Sequence, residues 1–237
     1  MVRNSENSGL YASDVTAIDG YAEGGGVYAG CNHLLQSWDC GISLTDNQGQ
    51  LWATVPGLKF DGYSIQDLCL NKKTGTLLFA ISPDFTDLPA LGLGVKLKNE
   101  DTLFYITAEK DGIAADLVSR IYLDESTQTN DGLGAVYLLH DDTYTAHGKI
   151  SKYDVQTKKW KVIESSEWNN AHHNSIRRFN GITYVCSYFG VFSYSSNEID
   201  WTYATSLNVN SRVNYGFDPV NIPINLCSSK WYSLSFM

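Results

Sequence analysis

Apolar and polar residues alternate along most of this chain, and a helical spacing of apolar residues is nearly absent. The alternating segments are rich in Val, Ile, Tyr, Phe and Trp, and Gly, Asn and Asp bound them. This combination indicates β-strands that each bury one face. Only residues 111–122, DGIAADLVSRIY, have a pattern that could hold a helical turn. The sequence therefore predicts an all-β protein.

The predicted strands recur in groups of four, an inner pair followed by an outer pair. Inner pairs are predicted at 63–82, 117–139 and 174–188, and the matching outer pairs at 94–108, 148–164 and 190–204. The first group joins 16–30 to 33–55. Four-stranded units that repeat about every 40 to 55 residues are typical of a β-propeller, in which each unit forms one blade.

The two ends of the chain complement each other in this pattern. Residues 222–236 have the pattern of an inner pair without an outer pair, and residues 9–13 that of an outer strand without an inner pair. Pairing the two would build a fifth blade and remove the exposed strand edges of an open ring. The sequence thus predicts one domain, 1–237, folded as a five-bladed β-propeller that its N- and C-terminal strands close.

The charge of the chain changes the picture of its partners. The formal net charge is -9 at pH 7, and the basic residues cluster only as short pairs. Nucleic acid binding needs clustered Lys and Arg, so a nucleic acid partner is excluded. No apolar run approaches the roughly 20 residues of a membrane span, and residues 1–15 contain no signal-peptide core. We expect no membrane insertion.

The cysteines favour neither a metal nor a cofactor. The five cysteines are irregularly spaced and form no CxxC pair, which makes a zinc site an unfavourable interpretation. Cys31 and Cys40 could pair across a hairpin, or remain free thiols in a protein made in a reducing cytosol. We predict no metal and no cofactor.

Residues 37–44, SWDCGISL, carry a more specific signal. Four of them follow the spacing S-x-D-x-G-x-S: Ser37, Asp39, Gly41 and Ser43. This stretch resembles the Asp-box, or sialidase-type, repeat of β-propellers, and a degenerate copy is present at 195–201, SSNEIDW. The resemblance implies a turn between the third and fourth strands of a blade, at its rim. Asp39 is then a turn-former that accepts backbone N–H bonds, and not a catalytic carboxylate.

The densest group of aromatic, amide and imidazole side chains lies in the predicted inter-blade loop 165–175, SSEWNNAHHNS. A Trp ring can stack on a sugar, and amides can bond its hydroxyl groups. A second loop, 140–147, could add polar groups from the same face, while the alternative is that both loops are ordinary polar surface. The candidate ligand-binding residues are Trp168, Asn169, Asn170, His172 and His173, with His140 and Asp142 from the second loop.

Two hydrolase interpretations remain open beside a binding role. A sialidase-like site would need three arginines, but Arg120, Arg177 and Arg178 fall in first strands, where they could simply point at solvent. A furanosidase-like site would need converging carboxylates. Asp61, Asp116 and Glu167 are candidates, although the first two also suit a turn and a cap.

The function favoured by the sequence is non-enzymatic recognition or assembly, with a glycan or a protein as partner. Propellers of this type resemble modules of bacteriophage tails and receptor-binding proteins. A virion protein is made in the cytosol and released by lysis, which fits both the absence of a leader and the reduced cysteines. The expected location is thus the virion or the extracellular space, and the alternative function is that of a glycoside hydrolase.

Overall fold

The computed structural model describes residues 5–21, 26–33, 39–85, 87–98, 100–127, 133–140, 148–165, 168, 173–187 and 192–204. Within these residues the protein contains sixteen strands in four separate sheets. The helical elements are single turns at α1 (Ser5–Ser8), α2 (Ala108–Asp111) and a 3-10 turn at Glu125–Thr127. The prediction of an all-β protein is confirmed.

Each sheet is antiparallel and uses four strands in chain order. Sheet 1 contains β1 (Asp14–Gly20), β2 (Val27–Asn32), β3 (Asp39–Thr45) and β4 (Ala53–Asp61). Sheet 2 contains β5 (Tyr63–Leu70), β6 (Leu77–Pro83), β7 (Leu93–Lys96) and β8 (Leu103–Ile106). Sheet 3 contains β9 (Val118–Asp124), β10 (Ala135–His140), β11 (Ile150–Asp154) and β12 (Lys159–Ile163). Sheet 4 contains β13 (His173–Phe179), β14 (Ile182–Ser187), β15 (Phe192–Ser195) and β16 (Thr202–Ala204).

Consecutive sheets pack face to face, and the second strands show why. In β6, Phe79 belongs to the core shared with sheet 1, while its neighbour Leu78 belongs to the core shared with sheet 3. In β10, Leu138 packs toward sheet 2 and Tyr137 toward sheet 4. Successive side chains of a strand point to opposite faces, so a strand buried on both faces is apolar throughout. This layered packing matches the successive blades of a propeller-like fold.

The first strand of each sheet lies beside the first strand of the next, in the order β1, β5, β9, β13. Each of these strands contains one extra residue near its start: Thr16, Gln66, Ser119 and Asn174. Such a bulge bends a strand and increases its twist. The repeated bulge gives the four inner strands a common shape around a central space.

The predicted ring closure is only partly visible. In the described part of the chain, β13 and β1 do not pack against each other as successive inner strands do. The predicted pair at 222–236 lies outside the described residues. Residues 9–13 form no strand, in contrast to the prediction. They do cover the outer face of sheet 1, where Leu10 and Ala12 are buried against Ala29 and Cys31.

Candidate functional site

The four inner strands line a cavity of about 890 Å³. Every inner strand contributes lining residues, among them Thr16, Gln66, Arg120 and Ser175 near the bulges. Apolar side chains line it as well. Ile18 and Phe179 are 55% and 42% exposed, so their side chains remain available for contact. Small-ligand sites are typically cavities of about 300–1,000 Å³, and this cavity falls within that range.

The three arginines of the first strands all line this cavity: Arg120, Arg177 and Arg178. Arg120 donates to the backbone oxygens of Gln66, at 3.2 Å, and of Ser119, at 2.7 Å. The Arg177 guanidinium carbon lies 5.1 Å from the centre of the Tyr122 ring. The sequence left open whether these arginines face solvent, and here they line the cavity because the first strand of each sheet borders it.

Two of the four carboxylates that line the cavity hold neighbouring inner strands together. Asp19 accepts the N–H of Leu70 in the next strand at 2.8 Å, and Asp67 accepts the N–H of Ile121 in the strand after that at 2.9 Å. These bonds satisfy donors of the strand edge. The two carboxylates thus have a structural role that a general acid or base would have to abandon.

A tyrosine completes the same series of inter-strand bonds. The Tyr122 hydroxyl accepts the backbone N–H of Arg178 at 3.0 Å, which links β9 to β13. Burial raises the pKa of Tyr122. A nucleophilic tyrosine would require the opposite shift, because the phenolate is the reactive form.

Trp168, one of the three predicted ligand-binding residues that the structure describes, is buried. The Trp168 side chain is 1% exposed and donates its indole N–H to Ser193 Oγ at 3.0 Å. It packs edge to face against Trp201 and His173. A ring held in the core between sheets 3 and 4 cannot stack on a sugar, so the stacking role predicted for Trp168 is wrong in this structure.

The two predicted histidines that the structure describes are also buried. His140 lies 2.7 Å from Ser151 Oγ, and His173 lies 2.7 Å from Ser187 Oγ. These bonds hold His140 at the end of β10 and His173 at the start of β13. The remaining predicted ligand-binding residues lie outside the described residues: Asn169, Asn170, His172 and Asp142.

The SxDxGxS stretch does not form the turn that the resemblance implied. Asp39, Gly41 and Ser43 lie in β3, and Ser37 lies outside the described residues. Asp39 instead accepts the Tyr11 hydroxyl at 2.6 Å, and Gly41 leaves room for the Tyr11 ring, which a Cβ would meet at 2.7 Å. These residues bind the N-terminal segment to sheet 1, a structural role without a turn.

The turn between the third and fourth strands lies eight residues further on. Thr45 Oγ1 accepts the N–H of Gly49 at 3.2 Å, and Asn47 Oδ1 accepts that of Leu51 at 2.9 Å. Gly49 has φ +80°, which glycine adopts without strain. The degenerate copy lies in the equivalent turn of sheet 4, where Ser195 Oγ accepts the N–H of Glu198 at 2.8 Å.

Two of the three carboxylates considered for hydrolysis, Asp61 and Asp116, lie within the described residues. Asp116 accepts the N–H of Ala108 at 2.6 Å and so bonds the first turn of α2. The Asp61 side chain is 85% exposed at the end of β4, and Glu167 lies outside the described residues. Among the residues that the structure describes, no cluster of three His, Cys, Asp or Glu could hold a metal ion.

Two further observations bear on the sequence analysis. Cys31, Cys40 and Cys69 are free thiols, so the alternative in which the first two pair across a hairpin is wrong. Over the described ranges, the helices are all too short or too polar to cross a membrane.

No known family model matches the sequence, and no curated protein matches it. Solved structures do resemble the fold. The extracellular domain of BT4673 from Bacteroides thetaiotaomicron is 11% identical, with a TM-score of 0.55 over 83% of this chain and 24% of that one. An auxiliary nutrient binding protein from the same organism is 10% identical, with a TM-score of 0.51 over 81% and 41%.

An enzyme resembles the same fold. The GH74 enzyme of Niastella koreensis is 15% identical, with a TM-score of 0.53 over 77% of this chain and 28% of that one. These neighbours are β-propeller-like proteins and include both binding domains and glycoside hydrolases. The chain spans between about a quarter and two fifths of their lengths. At such low identity the likeness shows a propeller-like fold and nothing about activity.

Proposed function

We propose that this protein is a non-enzymatic binding module and that its ligand occupies the central cavity. The observation that carries the proposal is a pair of arginines, Arg120 and Arg177, on two adjacent inner strands. Among the described residues, no carboxylate oxygen lies within 4.0 Å of either guanidinium. Charged donors without a charged partner at the wall of a ligand-sized cavity are typical of a recognition site.

A glycoside hydrolase is the alternative function, and the state of the carboxylates argues against it. Glycoside hydrolysis uses two carboxyl groups, one of which must exchange a proton with the substrate. In the cavity, Asp19 and Asp67 are bonded to backbone N–H groups, and Asp124 accepts the N–H and hydroxyl of Ser126. A binding role needs none of these carboxylates to move.

The loop face, formed by the loops 140–147 and 165–175, is the alternative location for the ligand. Most of the ligand-binding residues predicted there lie outside the described residues. The role in a bacteriophage tail gains no support from the structural neighbours, so it is not part of the proposal. One of the structural neighbours is an auxiliary nutrient binding protein, which agrees with a binding role for this protein.

We also propose that residues 222–236 and residues 9–13 complete a fifth blade between sheets 4 and 1. The N-terminal segment already covers one face of sheet 1, where Leu10 and Ala12 pack against Ala29 and Cys31. A fifth inner strand between β13 and β1 would turn the cavity into a closed central channel and would cover the strand edges on both sides.

Amide hydrogen exchange of the free protein tests this closure. Amides within 222–236 are expected to be protected to the same degree as those of β5 and β9, because ladder hydrogen bonds slow exchange. Exchange of this segment at the rate of an unstructured peptide would contradict a fifth blade.

The cavity can be blocked to test the proposed function. Ile18→Trp adds a large ring at a side chain that is already exposed to the cavity, so the fold should tolerate it. We expect wild type to bind one or more members of a glycan array, and Ile18→Trp to lose that binding by a factor of about 10 or more, since the ring occupies ligand volume.

The matched control is Ile199→Trp, which makes the same change at a side chain that is 78% exposed in the sheet 4 turn, outside the cavity. It should bind like wild type. A parallel panel of chromogenic glycosides tests the alternative: turnover that both variants retain would establish a hydrolase with its site elsewhere. Unchanged glycan binding by Ile18→Trp would move the site to the loop face.

A further inference from the structure

Some charged side chains that line the cavity have a partner of opposite charge, and others do not. Glu125 forms an ion pair with Lys72 at 2.6 Å, and Asp124 lies 4.0 Å from Arg178 Nη1. Asp19 and Asp67 bond backbone N–H groups, as described above. Arg120 and Arg177 have no such partner within the described ranges, so their positive charges are the ones available to a ligand.

Both guanidiniums are held in place but retain free donors. The Nη1 of Arg120 donates to two backbone oxygens, and the Nη1 of Arg177 donates to the Ile176 oxygen at 2.7 Å. The Arg177 guanidinium also lies over the Tyr122 ring, a cation–π contact that favours this position. A guanidinium has five N–H donors, so each arginine can still bind a carboxylate through two parallel bonds.

An apolar surface lies on the same wall as the arginines. Phe179 is two residues after Arg177 in β13, and successive odd positions of a strand share a face. Ile18 of β1 also lines the cavity. An aromatic ring stacks on the C–H face of a sugar, whereas a simple inorganic anion has no such face.

We propose that the cavity binds an acidic saccharide of the uronic acid type, with its carboxylate on Arg120 and Arg177 and its ring against Phe179. This inference rests on the proposed function, because it assigns a ligand class to the same cavity. The overall charge of -9 disfavours long acidic polymers. A single carboxylate bound by the guanidiniums of Arg120 and Arg177 overcomes this repulsion locally through charge-assisted hydrogen bonds.

Isothermal titration with three probes tests the inference: D-galacturonate, D-galactose and inorganic phosphate. Galacturonate should bind at least about tenfold more tightly than galactose, which lacks the carboxylate, and than phosphate, which lacks the sugar ring. Its affinity should fall as ionic strength rises. Equal binding of galactose, tighter binding of phosphate, or binding of none of the three would overturn the inference.

The variant Arg120→Gln/Arg177→Gln should weaken galacturonate binding about 100-fold, since two charge-assisted contacts are lost. The lysine pair Arg120→Lys/Arg177→Lys retains the charge and should bind with intermediate affinity. The control Lys149→Gln removes one positive charge from the rim pair with Glu164 and should bind like wild type. Thermal unfolding of each variant confirms that it is folded.

The failures of the two proposals are distinguishable. If Ile18→Trp abolishes glycan binding while the arginine variant binds galacturonate like wild type, the cavity is the site and its ligand is not recognised through the carboxylate. If Ile18→Trp binds normally, the cavity itself is not the site.

Discussion

Glu198→Ala is expected to lower the free energy of unfolding by about 3–5 kcal/mol, because it leaves a buried charge without its partner. Glu198 lies in the β15–β16 turn and contacts sheet 3. Its carboxylate accepts the Tyr137 hydroxyl at 2.6 Å, the Lys152 ammonium at 2.7 Å and the Thr183 hydroxyl at 3.0 Å. Only 13% of the Lys152 side chain is exposed. Chemical denaturation monitored by tryptophan fluorescence measures the change.

The same network makes stability depend on pH. Burial alone would raise the pKa of Glu198, but the hydrogen bonds from Lys152 and Tyr137 outweigh it and hold the pKa below its ordinary value of 4.5. A carboxyl whose pKa is lower in the folded state stabilises the fold at pH above the unfolded value. This contribution should be lost as pH falls from 4.5 through the folded pKa, and Glu198→Gln should remove that part of the acid sensitivity.

The control for Glu198 is Glu125→Ala, which removes the exposed ion pair with Lys72 and should cost no more than about 1 kcal/mol. The double variant Glu198→Gln/Lys152→Met should be more stable than Glu198→Ala, because neither charge is then left buried alone. Equal effects of Glu198→Ala and Glu125→Ala would contradict the buried network.

Trp168→Ala is expected to cost about 3–5 kcal/mol as well, as is usual for a large aromatic residue removed from a core. The ring fills the space between sheets 3 and 4, and the change also leaves the buried Ser193 hydroxyl without its donor. Thermal or chemical unfolding measures the loss.

Trp168→Phe separates volume from the hydrogen bond. It retains an aromatic ring and should cost less than Trp168→Ala, with about 1 kcal/mol from the lost N–H bond. Phe104→Ala, at a side chain that is 41% exposed on β8, is the matched surface control and should change stability little. A Trp168→Ala protein of normal stability that no longer binds glycans would restore the sequence-based hypothesis for the loop.

Much of the sheet structure could be predicted from the sequence. The predicted inner pair at 63–82 corresponds to β5 and β6, and the predicted outer pair at 148–164 to β11 and β12. Alternation of apolar side chains reports which residues face a core, so it located these strands correctly. It says nothing about which sheet provides that core.

The roles of the arginines and of Trp168 could not be predicted from the alternation of apolar and polar residues. Arg120 and Arg177 occupy polar positions of strands, and whether such a position faces solvent or a central cavity depends on the ring around it. Trp168 stands among polar neighbours, yet Trp201, distant in sequence, provides its packing partner. The turn motif was assigned to Asp39 because its spacing matched, whereas Thr45 and Asn47, less typical residues, form the hydrogen bonds of the turn.

The central claim is that the cavity between the four inner strands is the ligand site. A crystal structure of the protein with its tightest-binding array glycan tests this claim most directly. We expect the ligand to lie between β1, β5, β9 and β13, in contact with Arg120 and Arg177. A glycan bound at the loops 140–147 and 165–175, with the cavity holding only solvent, would contradict the claim.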